Sequence, residues 1–239
     1  TTRRIREPVT TFTDIRSAFD GITYSKGGAV LAMFERQLGA DKIREGMRQY
    51  MAKHARGNAT SNDLIEALAA VSKDPAEFRK SFGSFLDQPG VPLLQVRTQC
   101  DDGPPRLLIE QQRYLPVGST VAASGEWIVP LCVRYGDADG LHTQCSLISG
   151  REAVLPLETK TCPSFVMPNA DGGGYYRFSL DPKGQAALQA NFDRLNEREQ
   201  RVFADSISAA YSAGTIDTAA FLRAAASLSK APLASTAMA

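Results

Sequence analysis

The sequence predicts an α+β protein in three parts: helices over 1–88, a small antiparallel β-sandwich over 89–181, and the first helices of a further helical part over 182–239. Three observations predict this. The apolar period is near 3.6 in the first part, changes to two in the middle, and returns to 3.6 at the end. The changes fall at breakers, Gln88-Pro89-Gly90-Val91-Pro92 and Asp181-Pro182. Each helical run also carries capping residues where it should start.

In the first part, Lys26 to Leu38 places Val30, Met33, Phe34 and Leu38 on one face, with Gly39 suited to its end. Asp41 is the expected cap of the next helix, whose face is Ile43, Met47, Tyr50 and Met51. Thr60-Ser61-Asn62-Asp63 offers several caps before Leu64, Ile65, Leu68 and Val71. Asp74-Pro75 places a cap before a first-turn proline, and the helix presents Phe78, Phe82, Phe85 and Leu86. All four helices are amphipathic and together too small and one-sided for a comfortable core. The face of Val30, Phe34, Met47 and Tyr50 is therefore expected to be partly exposed, or covered by another copy through self-association.

The middle part reads as about seven short strands. Leu94, Val96 and Thr98 alternate with polar residues, and Asp101–Pro105 is a turn before Leu107 to Gln112. Trp127, Val129, Leu131, Val133 and Tyr135 make one apolar face; Leu141, Cys145 and Leu147 make another after the turn at Gly136–Gly140. Further strands fit 153–157, 164–167 and 175–180. In the last part Phe203, Ile207, Ala210 and Tyr211 share a face, Glu197 and Glu199 stand in that helix's first turn, and Asp217 caps a helix bearing Phe221, Leu222, Ala225 and Leu228. Residues 231–239 have no period and are expected to fray.

Composition excludes several functions. The chain has 43% hydrophobic and 22% charged residues with a formal net charge of +1, so it offers no electrostatic case for nucleic acid or an anionic membrane. No apolar run approaches the ~20 residues that span a bilayer. The four cysteines, Cys100, Cys132, Cys145 and Cys162, have no metal-type spacing. They permit two disulfides if the protein is exported, or are four small, partly buried thiols; compartment is otherwise unreadable. Placing Leu131 opposite Cys145 aligns the apolar faces and turns Cys132 the other way, which disfavours a Cys132–Cys145 bridge.

There are two histidines, His54 and His142, and no His-Glu-x-x-His. His54 beside Lys53 and Arg56 suits a helix end; His142 lies on the polar side of a strand, read as solvated. Lys26-Gly27-Gly28 lacks the rest of a phosphate loop, and its glycines read as allowing close helix packing. Gly172-Gly173-Gly174 reads as a turn. Asp101-Asp102 and Asp137/Asp139 lack the ligand count of a calcium loop and read as turn chemistry. Asn58-Ala59-Thr60 is a glycosylation pattern that matters only in a eukaryotic secretory setting. No Ser/His/Asp or Cys/His nucleophile set is apparent.

The stretch Phe19-Asp20-Gly21-Ile22-Thr23-Tyr24-Ser25-Lys26-Gly27-Gly28 resembles the segment of aminopeptidase N-type zinc metallopeptidases that carries their catalytic tyrosine. Four further stretches resemble the same family in order: Phe85 to Pro92, Trp127 to Leu131, Asn169 to Arg177, and Glu197 to Gly214. The resemblance implies that 1–88 is the helical end of a thermolysin-like catalytic domain and that 182–239 opens an α-solenoid-like domain. It also implies a parent enzyme that removes N-terminal residues from peptides by zinc-activated water, of which this chain begins after the zinc-binding motif. The zinc ligands, general base and substrate anchor of the family have no match here. Only Tyr24 carries over. A phenol titrates near ~10, so a tyrosine hydroxyl can donate to the oxyanion of a tetrahedral intermediate; by spacing alone, Tyr24 reads instead as a tyrosine packed at a helix start with its hydroxyl reaching water, and it is the resemblance of the surrounding motif that implies the catalytic role. The expectation is zinc in the parent and none in this chain, which alone would be inactive, its partner being the missing catalytic portion. The alternative is a non-catalytic interaction module that kept the family scaffold.

Overall fold

The computed structural model describes residues 3–229. It is α+β, with eight α-helices and seven strands in two sheets among the described residues, and these divide into two compact units, residues 3–89 with 127–130, and residues 90–126 with 131–229. The tail 231–239 lies outside the described residues.

The first unit contains helices α1 (Phe12–Ser17), α2 (Gly27–Leu38), α3 (Ala40–Lys53), α4 (Ser61–Ala70) and α5 (Pro75–Asp87), with a π-helical turn, Ile22–Lys26, leading into α2. Side-chain caps set several starts: Thr60 accepts from the Asp63 amide before α4, and Asp74 from the Glu77 amide before Pro75 opens α5. Asp41 is not a cap. Gly39, at φ +89°, ends α2 and begins α3, because only a residue without Cβ turns the chain so sharply between two helices at no steric cost.

The core of this unit is aromatic. Phe34 is fully buried, with Phe82 at 4.6 Å between ring centroids, Phe78 edge-on at 5.3 Å and Phe85 at 6.0 Å. The face expected to be partly exposed is divided: Val30 and Phe34 are at 0%, because α5 turns its phenylalanines onto α2 and covers them, and Tyr50 is half-buried. Met47 and Met51 on α3 do stay exposed. At Gly46 a Cβ would come within 3.0 Å of the Leu68 side chain, so α3 approaches α4 closely there. Residues 127–130 complete the unit: the Ser81 hydroxyl donates to the Ile128 carbonyl at 2.7 Å, the Ile128 amide donates to Ser84 Oγ, and Trp127 is fully buried.

The second unit holds the strands β1 (Pro92–Gln99), β2 (Arg106–Arg113), β4 (Leu141–Ile148), β5 (Glu152–Pro156), β6 (Phe165–Met167), β7 (Arg177–Leu180) and most of β3 (Val129–Gly136). One sheet runs β5-β2-β1-β7 and the other β4-β3-β6. The first is mixed rather than antiparallel, because β7 pairs parallel with β1, Leu94 opposite Phe178. Antiparallel neighbours need only a hairpin, but β7 arrives after β6 has been laid down in the other sheet, by a connection long enough for a parallel return.

The β3–β4 hairpin corrects the register expectation. Leu141 and Cys145 are exposed, whereas Ile148 is buried. The inward parity of β4 is thus His142, Gln144, Ser146 and Ile148, one residue out of step with the expected face. A slip of one reverses every side chain, so Cys145 stands on the same side as Cys132, and the two are disulfide-bonded with Cα atoms 4.1 Å apart, near the spacing of a non-hydrogen-bonded antiparallel pair. A second disulfide, Cys100–Cys162, joins the end of β1 to the segment before β6, one element from each sheet.

Helices α6 (Pro182–Ala190), α7 (Glu197–Ser212) and α8 (Thr218–Leu228) share one core with the strands: Phe165, Met167 and Phe178 cluster with Leu188, Phe192, Phe203, Ile207 and Leu228. Tyr211, expected on the buried face of α7, is 42% exposed and stacks on Phe221 at 4.6 Å. Leu222, also expected inside, is exposed, and Ala224 takes the buried position on α8.

Asn196 caps α7 in a reciprocal box with Glu199. Glu199 is fully buried, ion-paired with Arg134 and accepting from the Asp171 amide at 2.9 Å. Burial pushes its carboxyl up against the pull of those donors. The Gly172–Gly174 turn lies against the same helix start. Gly172 has φ +62°, and a Cβ there would come within 2.9 Å of the Arg198 carbonyl oxygen.

Candidate active site

Tyr24 sits in the middle of the π-helical turn Ile22–Lys26, the only π-helical segment among the described residues. A π turn inserts an extra residue into a helix at a cost in packing and hydrogen bonding, and such turns recur at functional sites. Gly21 enters it with helical dihedrals, and the Gly27 amide closes it onto the Ile22 and Tyr24 carbonyls.

Both ends of the turn are tied. At the start, Asp20 Oδ1 accepts from the Thr23 amide at 2.9 Å and the Asp20 carbonyl accepts from the Tyr24 amide at 3.1 Å. The Arg3 guanidinium forks onto the Asp20 carboxylate, Nε to Oδ2 at 2.9 Å and Nη2 to Oδ1, and Nη2 also donates to Thr23 Oγ1 at 2.7 Å. The Arg3 hydrogen bonds, then the Thr23 amide, hold the Asp20 carboxyl down at about 2. At the end, the buried Lys26 ammonium donates to the Gln88 carbonyl at 3.0 Å, where a cation suits the last carbonyls of α5. Lys26 is thus a structural tether.

Between these ties the Tyr24 side chain is 64% exposed, beside the equally exposed Phe19 ring at 6.5 Å. Gly27 and Gly28, expected to allow close helix packing, would each meet nothing within 4 Å if given a Cβ. The face of the helix start next to Tyr24 is open, so the phenol has room to meet a ligand.

The remaining candidates do not join Tyr24. His54 caps α3, 3.6 Å from Asp63 and 5.3 Å from the Tyr50 ring. His142 is not simply solvated. Its Nε2 lies 2.9 Å from Asp137 Oδ1, and its ring stacks on Tyr135. Asp137 is turn chemistry: it accepts from the Asp139 and Gly140 amides and from the Thr159 hydroxyl. The Thr159 hydroxyl is the main cause that draws its carboxyl down to about 2. No group of three or more His, Cys, Asp or Glu side chains able to hold a metal ion occurs among the described residues. The described residues do not fit a zinc site.

Sequence reasoning missed Arg3 and Asp20. Aspartate three residues before Thr23 is a readable capping spacing, but no local signal brings Arg3 across 17 residues. It also missed the Asn196-x-x-Glu199 box, which its spacing advertises.

The described residues thus offer a solvent-facing tyrosine on a braced helix start. Comparison with known proteins adds a family relationship. Residues 1–88 match the Peptidase family M1 domain. The chain is 31% identical over 192 residues to Aminopeptidase M1 of Arabidopsis thaliana, covering 74% of this chain and 20% of that protein. It is 27% identical over 218 residues to the mitochondrial Aminopeptidase 2 of Saccharomyces cerevisiae, 91% and 22%, and 29% identical over 221 residues to Aminopeptidase 2 of Candida albicans, 91% and 23%. The chain is related to the M1 family, the aminopeptidase N-type zinc metallopeptidases, and spans about a fifth of the length of the curated relatives it matches.

Proposed function

We propose that this chain is part of a zinc-dependent aminopeptidase acting on the N-termini of peptides, in which Tyr24 is the oxyanion-stabilising donor. The family relationship supports the enzyme class. The observation that carries the residue assignment is the exposure of Tyr24, 64%, within a turn bound at both ends. Its O–H donates to the carbonyl oxygen that gains negative charge as the scissile carbon becomes tetrahedral, and a fixed backbone lets it do so without reorganisation at the moment of reaction. The zinc and the general base belong, in this proposal, to the rest of the metallopeptidase, which is the partner this chain completes. The domain reading goes with it: 1–88 as the end of the catalytic domain, 89–181 as the sandwich and 182–239 as the start of the helical domain. No described helix is long and apolar enough to cross a membrane, and two disulfides are compatible with an exported protein.

The test has two arms. The isolated 239-residue chain is expected to release nothing from an aminoacyl anilide. In the metallopeptidase that contains it, Tyr24→Phe should lower kcat by about 10²–10³ with little change in KM. Stoichiometric zinc and turnover in the isolated chain, or an unchanged kcat in Tyr24→Phe, would overturn the proposal. A protein that contains this chain and has no peptidase activity would mark it as a scaffold instead.

A further inference from the structure

We propose that Arg3 and Asp20 are positioning residues for Tyr24, an ion pair that holds the π-helical turn so that the phenol projects in one direction. This rests on the reading of Tyr24 given above.

Arg3 is fully engaged. All three of its guanidinium nitrogens donate: Nε and Nη2 to the Asp20 carboxylate, Nη2 also to Thr23 Oγ1, and Nη1 to the Arg4 carbonyl at 3.0 Å. The side chain is 24% exposed and Asp20 38%, so the pair is partly shielded from solvent, where a forked guanidinium–carboxylate contact gives geometric as well as energetic definition. Neither residue contributes to the aromatic core around Phe34. What they hold is the turn. Asp20 takes the Thr23 amide on its side chain and the Tyr24 amide on its carbonyl, and Arg3 takes the Thr23 hydroxyl. The residue immediately before Tyr24 is therefore fixed by backbone and side chain, and Tyr24 by its backbone alone.

A less favourable helix geometry persists only where its surroundings over-determine it. Here the Asp20 clasp acts at the start of the turn and the Lys26–Gln88 contact at its end. Lys26 would survive loss of Arg3 or Asp20, which leaves the far end of the turn in place and frees the near end. The phenol would then sample several directions. A displacement of about 1 Å at a reacting group is enough to cost about 10²-fold in rate.

A mere tether for residue 3 would affect stability without regard to Tyr24; a positioning pair acts through it. The distinguishing measurement is a double-mutant cycle in the metallopeptidase containing this chain, using Asp20→Ala, Tyr24→Phe and both together. Asp20→Ala should lower kcat by about 10- to 10²-fold with KM within about two-fold, and the double variant should be no slower than Tyr24→Phe. Asp20→Asn, which keeps an acceptor for the Thr23 amide, should recover part of the loss. In the 239-residue chain, amide hydrogen exchange at Tyr24 and Gly27 should quicken about ten-fold in Asp20→Ala and in Arg3→Ala, with the Phe34 and Phe82 amides unchanged.

Losses that multiply in the double variant, or an Asp20→Ala enzyme with wild-type kcat, overturn the inference. If Tyr24→Phe itself leaves kcat unchanged, the catalytic reading of Tyr24 has failed, and exchange decides the clamp by itself: unaltered exchange at Tyr24 and Gly27 sinks it, and faster exchange there supports it.

Discussion

Replacing Phe34 by alanine tests the finding that the first unit has a closed aromatic core. The ring is fully buried and lies within 4.6–6.0 Å of three other phenylalanine rings. Returning a buried phenylalanine side chain to solvent costs about 2–3 kcal/mol in transfer free energy. The void left among three rings, with the loss of their edge and offset contacts, adds about 1–2 kcal/mol. The expected destabilisation is about 4 kcal/mol, a large share of the ~5–15 kcal/mol that domains usually have. The assay is urea unfolding followed by tryptophan fluorescence. Trp127 is the chain's one tryptophan, is fully buried and belongs to this unit, so its emission reports this core. With a slope of about 1–3 kcal/mol per molar urea, the midpoint should fall by roughly 2 M. Phe34→Leu, which keeps most of the volume, should cost under about 1.5 kcal/mol and keeps the test readable if the alanine variant does not fold. Phe12→Ala, at a site 80% exposed in the same unit, should change stability by no more than about 0.5 kcal/mol. A loss below about 1 kcal/mol in Phe34→Ala, with an unchanged slope, would refute the closed core and restore the expectation of an open face.

Three further outcomes follow from the same physics. Converting each disulfide pair to alanines should cost more for Cys100–Cys162, which closes 62 residues, than for Cys132–Cys145, which closes 13; the chain-entropy estimate is about 4 against about 3 kcal/mol, read from urea midpoints. Glu199→Ala should cost about 3–5 kcal/mol by thermal or urea unfolding, because it strands the partly buried Arg134 charge and two amides, and Arg134→Ala in that background should recover part of the loss. Acid should weaken the fold in a defined window. Asp14, Asp20 and Asp137 are held down at about 2 from an ordinary 3.8, so what they contribute is present above 3.8 and is lost as pH falls toward about 2. Glu199 is shifted the other way by burial. Its contribution is present at low pH and lost as pH rises through its folded value. Asp20→Asn should flatten the acid slope seen by Trp127, and an unchanged slope would count against the Arg3–Asp20 pair.

Most of the element plan was legible because its signals are local. Thr60, Asp74 and Asp217 cap the helices they were expected to cap, since a cap is a contact between residues three apart. The two proline-bearing breaks and the period change at residue 92 likewise depend on neighbours. Errors arose where a second segment decides. Asp41 looked like a cap, but Gly39 could make the tighter turn, so α3 starts two residues earlier. Leu141, Cys145 and Leu147 looked like an inward face, but the pairing of β4 with β3 placed the other parity inside.

The candidate site divides in the same way. Tyr24 was legible because it lies in a contiguous stretch that resembles a family segment, and the family relationship is borne out by the comparisons. Its surroundings were not. Arg3, Asp20 and Gln88 reach the turn from 21 residues before Tyr24 to 64 after it, and no period or motif encodes such contacts.

The sequence by itself determined the order of helical and strand segments, most of the helix caps, and which family the chain is related to. These rest on short-range dihedral preference, capping and contiguous pattern. Only the tertiary structure decided that Cys132 bonds Cys145, that β7 returns parallel to β1, that α5 covers Phe34, and that Tyr24 stands on a π turn clasped by Arg3. Each of those depends on which distant surfaces bury together, and burial is a property of pairs of segments that neither segment carries alone.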